Sequence, residues 1–302
     1  MPHLRAGSGP AMIPLVTAFT VILALQPAAA QSRTGSCPLD SVEFHKCAIE
    51  KAKTFNPPRT QEGTPDFQGY WNTRHNGAVW DIEPRKGEGS LVPATTGVIV
   101  DMPDRKIPYQ PWALAKRNEL RARPFDDPKG HCAPSPPPRD SFTNYGLQIV
   151  QPAGHVVILY EQMHDYRIIP TTPRKPLPAS IKLWHPESAG RWEGNTLVVD
   201  NSNANGKDWF EPSGNFQTEN THVVERYTMI DPDTIHFEAR IEDPTIYTKP
   251  WTIAIAFTRN KEEGYYQLEF ACHEGERDMQ HYTEEQGRGR SDVFVDPVKK
   301  EE

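Results

Sequence analysis

The repeat of hydrophobic positions changes part-way along the chain, and that change predicts the architecture. From residue 147 onward apolar and polar residues alternate with a period of two, as they do in a strand whose successive side chains point to opposite faces. The runs selected are Leu147–Gln151, His155–Glu161, Tyr166–Pro170, Thr196–Asp200, Thr221–Met229, Thr234–Asp243, Trp251–Arg259 and Tyr265–Cys272. Each is rich in Val, Ile, Thr, Tyr or Phe. Turn signals at Pro152-Ala153-Gly154, at Asp231-Pro232-Asp233 and from Asn260 to Gly264 separate several of them. Short turns join neighbours antiparallel, and a curled sheet hides its edges. The expected fold is therefore all-β, an antiparallel meander forming a barrel or bent sandwich.

Within a run the alternation also sorts faces. Ile235, Phe237, Ala239 and Ile241 share one side, with His236, Glu238, Arg240 and Glu242 on the other; Tyr266, Leu268, Phe270 and Cys272 oppose Tyr265, Gln267 and Glu269. The polar sides meet water or line a ligand-holding interior, as in small barrels.

The first half of the chain reads differently. Prolines interrupt residues 31–139 so often that only two windows keep a helical repeat, Ser41–Lys53 with Ser41 as N-cap and Trp112–Arg123. The remainder reads as extended chain wrapped over the sheet. Ahead of it, Arg5, the apolar stretch Ile13–Leu25 and Ala28-Ala29-Ala30 have the order of a secretory signal peptide. That apolar stretch is shorter than the ~20 residues that span hydrocarbon. The expected organisation is a signal peptide at 1–30, a Pro-rich wrapping segment at 31–139, a β core at 140–290 forming a single domain with it, and a charged tail at 291–302. A periplasmic or secreted protein without a membrane span after processing is the expectation.

Composition narrows the partners. The 302 residues include 30 prolines, about twice ordinary usage, which disfavours a mainly helical fold. The net charge is -7, and no basic stripe is present to meet a phosphate backbone, so nucleic acid is excluded as the expected partner in favour of a small molecule. Cys37, Cys47, Cys132 and Cys272 form an even set with no C-x-x-C pair, so disulfides are expected in an oxidising compartment. Of three possible pairings the local one, Cys37 with Cys47 and Cys132 with Cys272, is preferred because it closes a short N-terminal loop.

Recognisable catalytic motifs are missing: the sequence contains no G-x-S-x-G, H-E-x-x-H, Walker or Rossmann pattern. Among eleven histidines only His131 beside Cys132, His155, His164 and the Cys272-His273 pair sit near other ligand types; no metal and no cofactor are expected. What remains is acid–base chemistry by ionisable groups at the ends of apolar runs, where burial shifts pKa values. Glu161, Arg167, Asp200, His222, Glu225 and Arg226 occupy such ends. His222 is the proton carrier in this reading, a carboxylate among Glu161, Asp200 and Glu225 orients it, and Arg167 or Arg226 stabilises developing negative charge. Tyr160, Trp192, Tyr227 and Glu269 are the candidate substrate contacts. An ion-pair network that fixes strand register is the structural alternative.

Several segments together resemble a known family. They are Thr64-Pro65-Asp66-Phe67-Gln68-Gly69-Tyr70-Trp71, Pro111-Trp112-Ala113, Asp127-Pro128, Cys132-Ala133-Pro134, Pro138-Arg139, the run from Gly190 to Asp200, Glu225-Arg226-Tyr227 and Asp243-Pro244. The pattern is similar to a large family of mostly uncharacterised secreted bacterial proteins with a G-R-W-E-G-[DN]-T-L-V-V-D motif. Asn195 and Asn201 stand where that pattern leads one to expect Asp and Thr. Gly69-x-Trp71 opening a meander is also similar to the lipocalin signature. The function expected is an exported, cofactor-independent enzyme performing elimination, isomerisation or hydrolysis on a small oxygenated or aromatic molecule. A lipocalin-like binding protein is the alternative, and a structural envelope protein the third.

Overall fold

The computed structural model describes residues 33–87, 94–143 and 145–272. The expected signal peptide and charged tail, and the end of the expected β core, lie outside the described residues. In chain order the elements are β1 (Arg33–Thr34), β2 (Cys37–Pro38), α1 (Ser41–Ala52), β3 (Gly69–Arg74), α2 (Pro111–Arg121), β4 (Gly146–Val150), β5 (His155–Tyr160), β6 (Tyr166–Pro170), β7 (Glu187–Glu193), β8 (Thr196–Ser202), β9 (His222–Asp231), β10 (Thr234–Glu242) and β11 (Trp251–Arg259). Nine strands form one sheet in the order β6-β5-β4-β3-β11-β10-β9-β8-β7. Every pairing is antiparallel. Two meanders, β3 to β6 and β7 to β11, are thus welded where β3 pairs with β11.

The sheet is a nearly closed barrel. Its two end strands, β6 and β7, come face to face: a Cβ on Gly190 of β7 would lie 2.8 Å from Ile169 Cγ2 and 3.1 Å from the Pro170 carbonyl of β6. Only a residue without a side chain lets the strands approach this closely. Inward positions follow the period of two. On β9 Val223, Glu225, Tyr227 and Met229 are buried, while His222, Val224, Arg226 and Thr228 are partly exposed. Large rings fill the interior, with Phe237 stacked on Phe257 at 5.3 Å and Tyr227 against Phe237 at 5.0 Å. Trp71 donates its indole N–H to the Phe67 carbonyl at 2.9 Å, and the Arg259 guanidinium lies 4.2 Å from its ring centroid.

The Pro-rich half covers the outside of the barrel and also enters it. Val100 N–H bonds the Thr252 carbonyl and Ala254 N–H bonds that of Val98, so residues 98–100 run along β11. α1 lies on the outer face, where Phe44 and Ala48 pack on Ile230 and Ala256. Asp40, not the expected Ser41, caps it, accepting from the amides of Val42 and Glu43 at 3.1 and 3.2 Å; the aspartate is in turn held by Arg105 at 2.6 and 3.0 Å. Both disulfides have the expected local pairing, Cys37–Cys47 and Cys132–Cys272. The second closes a separation of 140 residues, worth ~5 kcal/mol in the loop-entropy picture.

Three strand assignments differ from expectation. Tyr265–Cys272 alternates like a strand but pairs with none; its side chains bond sideways instead, Gln267 donating to the Leu159 carbonyl at 2.8 Å and Tyr265 to Glu161 at 3.0 Å. Conversely β3 and β7 were not among the expected strands. β3 lies inside the segment read as wrapping, and β7 carries Gly190, Arg191 and Glu193, which mask its repeat. The seam yields a stability prediction. Gly190→Ala is expected to destabilise the fold by roughly 1–3 kcal/mol through overpacking, measured by urea unfolding; an unchanged midpoint would show that β6 and β7 are not held in contact.

Candidate functional site

The polar groups divide by strand face into four places. The first is inside the barrel. Arg167 of β6 extends across the β6–β7 seam and makes a two-pronged contact with Glu225 of β9, at 2.6 and 3.2 Å. It also donates to Asn201 at 3.0 Å, Ser188 at 3.2 Å and Asp140 at 3.3 Å. Tyr227 donates its hydroxyl to Glu225 at 3.3 Å, and Tyr160 lies 3.5 Å from the guanidinium. Burial works against the guanidinium charge, but Glu225 and Asp140 outweigh it and hold the Arg167 pKa well above its ordinary value. Burial likewise raises Tyr160 and Tyr227, keeping both hydroxyls protonated. Asp140 is pushed up to about 6 by burial, against the pull of Arg167.

Asp140 reaches the interior because residues 135–143, all buried, thread into the barrel. Behind them Arg139 grips Asp127 at 2.6 and 2.7 Å and reaches Asp208 at 3.3 Å. At this end Lys129, Ser135, Asp140, Thr143, Tyr160, Gln162, Met163 and Asp165 surround a small hollow. Its free space is about 210 Å³ including the open mouth, yet the centre of a water reaches only about 10 Å³ of it, room for about one molecule. Among the described residues Ser135 Oγ and Gln162 Oε1 have no hydrogen-bond partner. Burial and the neighbouring Arg139 charge bring the Lys129 ammonium down to about 7. Met163 and His164 above it hold left-handed backbone angles, φ 66° and 51°, the kind of strain found at working sites.

The opposite end of the barrel carries an open cleft of about 550 Å³. Its floor is where β4 ends, β5 starts and β6 ends, at Gln151, His155, Val156 and Thr171, and its wall is a loop contributing Arg59, Thr60, Gln61, Glu62, Thr64, Asp66 and Gln68. Trp192 of β7 closes the side, edge-to-face on Phe67 at 5.4 Å. The loop is a tight hairpin, Thr60 N–H to the Thr64 carbonyl at 2.9 Å, with Gly63 supplying φ 79° at its tip. Gln151 clamps it to β4, accepting from Phe67 N–H at 2.6 Å and donating to the Pro65 carbonyl at 2.9 Å. Arg59 bonds Asn195 in the β7–β8 turn, and Asn195 bonds the Phe55 carbonyl at 3.3 Å. Thus the Thr64-to-Gly69 segment and the Gly190-to-Asp200 segment, far apart in the chain, meet here.

The fourth place is the outer face. His222 sits between Asp200 at 3.0 Å and Glu242 at 3.2 Å. Its partial burial lowers the pKa, but hydrogen bonds to the two carboxylates prevail and raise it above the usual imidazole value. Arg226 reaches Glu193 at 3.0 Å and Glu238 at 3.4 Å on the same face.

The expected convergence of strand-end groups around one hollow is therefore not met. Arg167, Glu225, Tyr160 and Tyr227 do come together inside. His222, Asp200 and Arg226 stand outside the barrel wall, because Glu225 and Arg226 are adjacent and must face opposite ways. Glu161 is occupied at the rim by Tyr265. Glu269 is largely exposed, 3.4 Å from His164. Trp192 lines the cleft. Sequence reasoning missed Asp140, Lys129 and the cleft residues Arg59, Glu62, Asp66, Gln68 and Gln151; the only local signal was the Thr64-to-Trp71 segment itself. Neither protein-family models nor curated proteins give a significant match to this chain.

The interior and outer ion pairs differ in energetic weight. Glu225→Gln leaves the Arg167 charge poorly compensated in a dry interior and is expected to cost roughly 3–5 kcal/mol. His222→Gln on the wetted face is expected to cost under ~1 kcal/mol. Asp140 adds a pH dependence. Its folded pKa of about 6 exceeds the usual 3.8, so the folded state holds the proton longer and stability is lost as pH rises through that window. The stability of wild type relative to Asp140→Asn should fall between pH 4 and 6; a flat difference in urea titrations would contradict the assignment.

Proposed function

We propose that the protein works outside the cytoplasm and binds a small, neutral, hydroxyl-rich molecule in the cleft beside Trp192. The observation that carries this reading is the meeting of two distant segments, Thr64 to Gly69 and Gly190 to Asp200, around a space of about 550 Å³, within the range of small-molecule sites. The lining supports the ligand class. Amides, hydroxyls and carboxylates match the alternating donors and acceptors of a polyol, and a tryptophan beside them offers an apolar surface to its C–H groups. Arg59 is outnumbered by Glu62 and Asp66, which disfavours an anion. Export is supported by the use of all four cysteines in disulfides, bonds that persist in oxidising compartments. Among the described residues no helix is long and apolar enough to cross a membrane.

A second reading keeps acid–base catalysis and places it at the opposite end. Asp140 and Lys129 titrate near neutrality beside a hollow that holds about one water, a setting suited to hydrolysis or proton transfer. It locates the chemistry at residues other than His222.

Calorimetric titration with neutral mono- and oligosaccharides and other polyols tests the first reading. One-site binding is expected, weakened at least ~10-fold in Trp192→Ala and in Glu62→Gln and unchanged in Glu269→Gln; binding of apolar ligands alone would overturn it. For the second, metabolite mixtures incubated with the protein should show a compound consumed by wild type and spared ~100-fold or more by Asp140→Asn. Equal consumption by both would remove Asp140 from the chemistry.

A further inference from the structure

His45 of α1 and His236 of β10 come together although 191 residues separate them. His45 Nδ1 lies 3.0 Å from His236 Nε2. The same two nitrogens lie 3.7 and 3.8 Å from Glu238 Oε2, on the same outer face of β10. A point equidistant from the three atoms is about 2.1 Å from each, the length of a zinc–imidazole or zinc–carboxylate bond. Without an ion, the imidazole contact requires one ring to donate its proton to the other, and the carboxylate remains beyond hydrogen-bond range of both.

We propose that His45, His236 and Glu238 bind a divalent first-row transition-metal ion, with zinc the best fit, between α1 and the barrel. Two imidazoles and one carboxylate are a borderline donor set suited to zinc. The surroundings supply what such a site needs. His236 is fixed in the wall, its side chain 5% exposed, whereas those of His45 and Glu238 are each 21% exposed, so one side opens to water and leaves a position for a fourth ligand. Arg226 lies 3.4 Å from the other Glu238 oxygen and orients the carboxylate; its own charge is balanced by Glu193 at 3.0 Å. Asp101 adds negative potential near His45. The anchoring of α1 by Cys37–Cys47 holds His45 in place before an ion arrives. The site is separate from both the cleft and the interior hollow.

The test uses tag-free protein stripped with EDTA and dialysed. Titration with zinc chloride alone should show about one equivalent bound, and X-ray absorption of the loaded protein should show two imidazoles and oxygen at about 2.0–2.2 Å. His45→Ala and Glu238→Gln, both at partly exposed positions, should weaken binding by ~100-fold or more, since even the loss of an outer-shell partner costs 10–100-fold. Zinc should raise the unfolding temperature of wild type and not of the variants, while melts in EDTA show that the variants are folded. Tighter binding of copper(II) or nickel(II) with the same losses supports the site and reassigns the ion. No uptake, or equal uptake by wild type and both variants, overturns it.

Discussion

The guanidinium of Arg167 carries the closure of this barrel. Ladder hydrogen bonds link eight successive strand pairs, but β6 and β7 share no ladder, and at that seam side chains must do what backbone does elsewhere. Arg167 starts on β6 and ends on partners from β7, β8 and β9, namely Ser188, Asn201 and Glu225. A planar fork with fixed donor directions suits this task better than a point charge would. Stripped of Glu225, the same group becomes a buried cation among aromatic rings with only Asp140, at 3.3 Å, to balance it. The network therefore sets strand register through the penalty for misplacing it as much as through its own strength. Gly190 completes the closure from the other side, by leaving no side chain where the strands touch.

Once the barrel is closed, the period of two imposes the rest. Neighbouring charges on one strand are sent to different environments: Glu225 into the dry interior, Arg226 onto the outer wall. Antiparallel order then sends the starts and ends of β4, β5 and β6 to opposite rims. One rim holds a hollow for about one water beside Asp140 and Lys129, and the other an open polar cleft beside Trp192. The two ends differ in dielectric as well as in size. Ionisable groups shift strongly where residues 135–143 plug the barrel and exclude water.

The N-terminal half supplies what the meander lacks. It contributes β3, which welds the two meanders, the hairpin loop that walls the cleft, and the helix that places His45 over β10. Prolines make this possible by suppressing regular structure, leaving an extended chain free to follow the barrel surface. Disulfides at both ends of the covering chain offset the entropy of ordering it.

The sequence by itself determined a great deal of the scaffold. The strands β4, β5, β6, β8, β9, β10 and β11, both helices to within a residue or two and the antiparallel order follow from spacing and turn chemistry, because these are local rules; for the cysteines spacing left three pairings open and only favoured the one observed. The period of two puts His222 and Arg226 on one face of β9 and Glu225 on the other, although the sequence reading groups all three in one site. What it did not determine is which face looks inward, or which distant groups meet. Arg167 with Glu225, Asp140 beneath Tyr160, Trp192 against Phe67 and His45 over His236 all depend on where β6 and β7 come to rest and on how the covering chain is threaded. Tyr265–Cys272 shows the limit most plainly. Its alternation is that of a strand, yet pairing needs a free sheet edge, and β11 is already occupied by β3 and by residues 98–100. Local periodicity decides what a segment is able to become; the competition for edges and interior space, settled only in three dimensions, decides what it is.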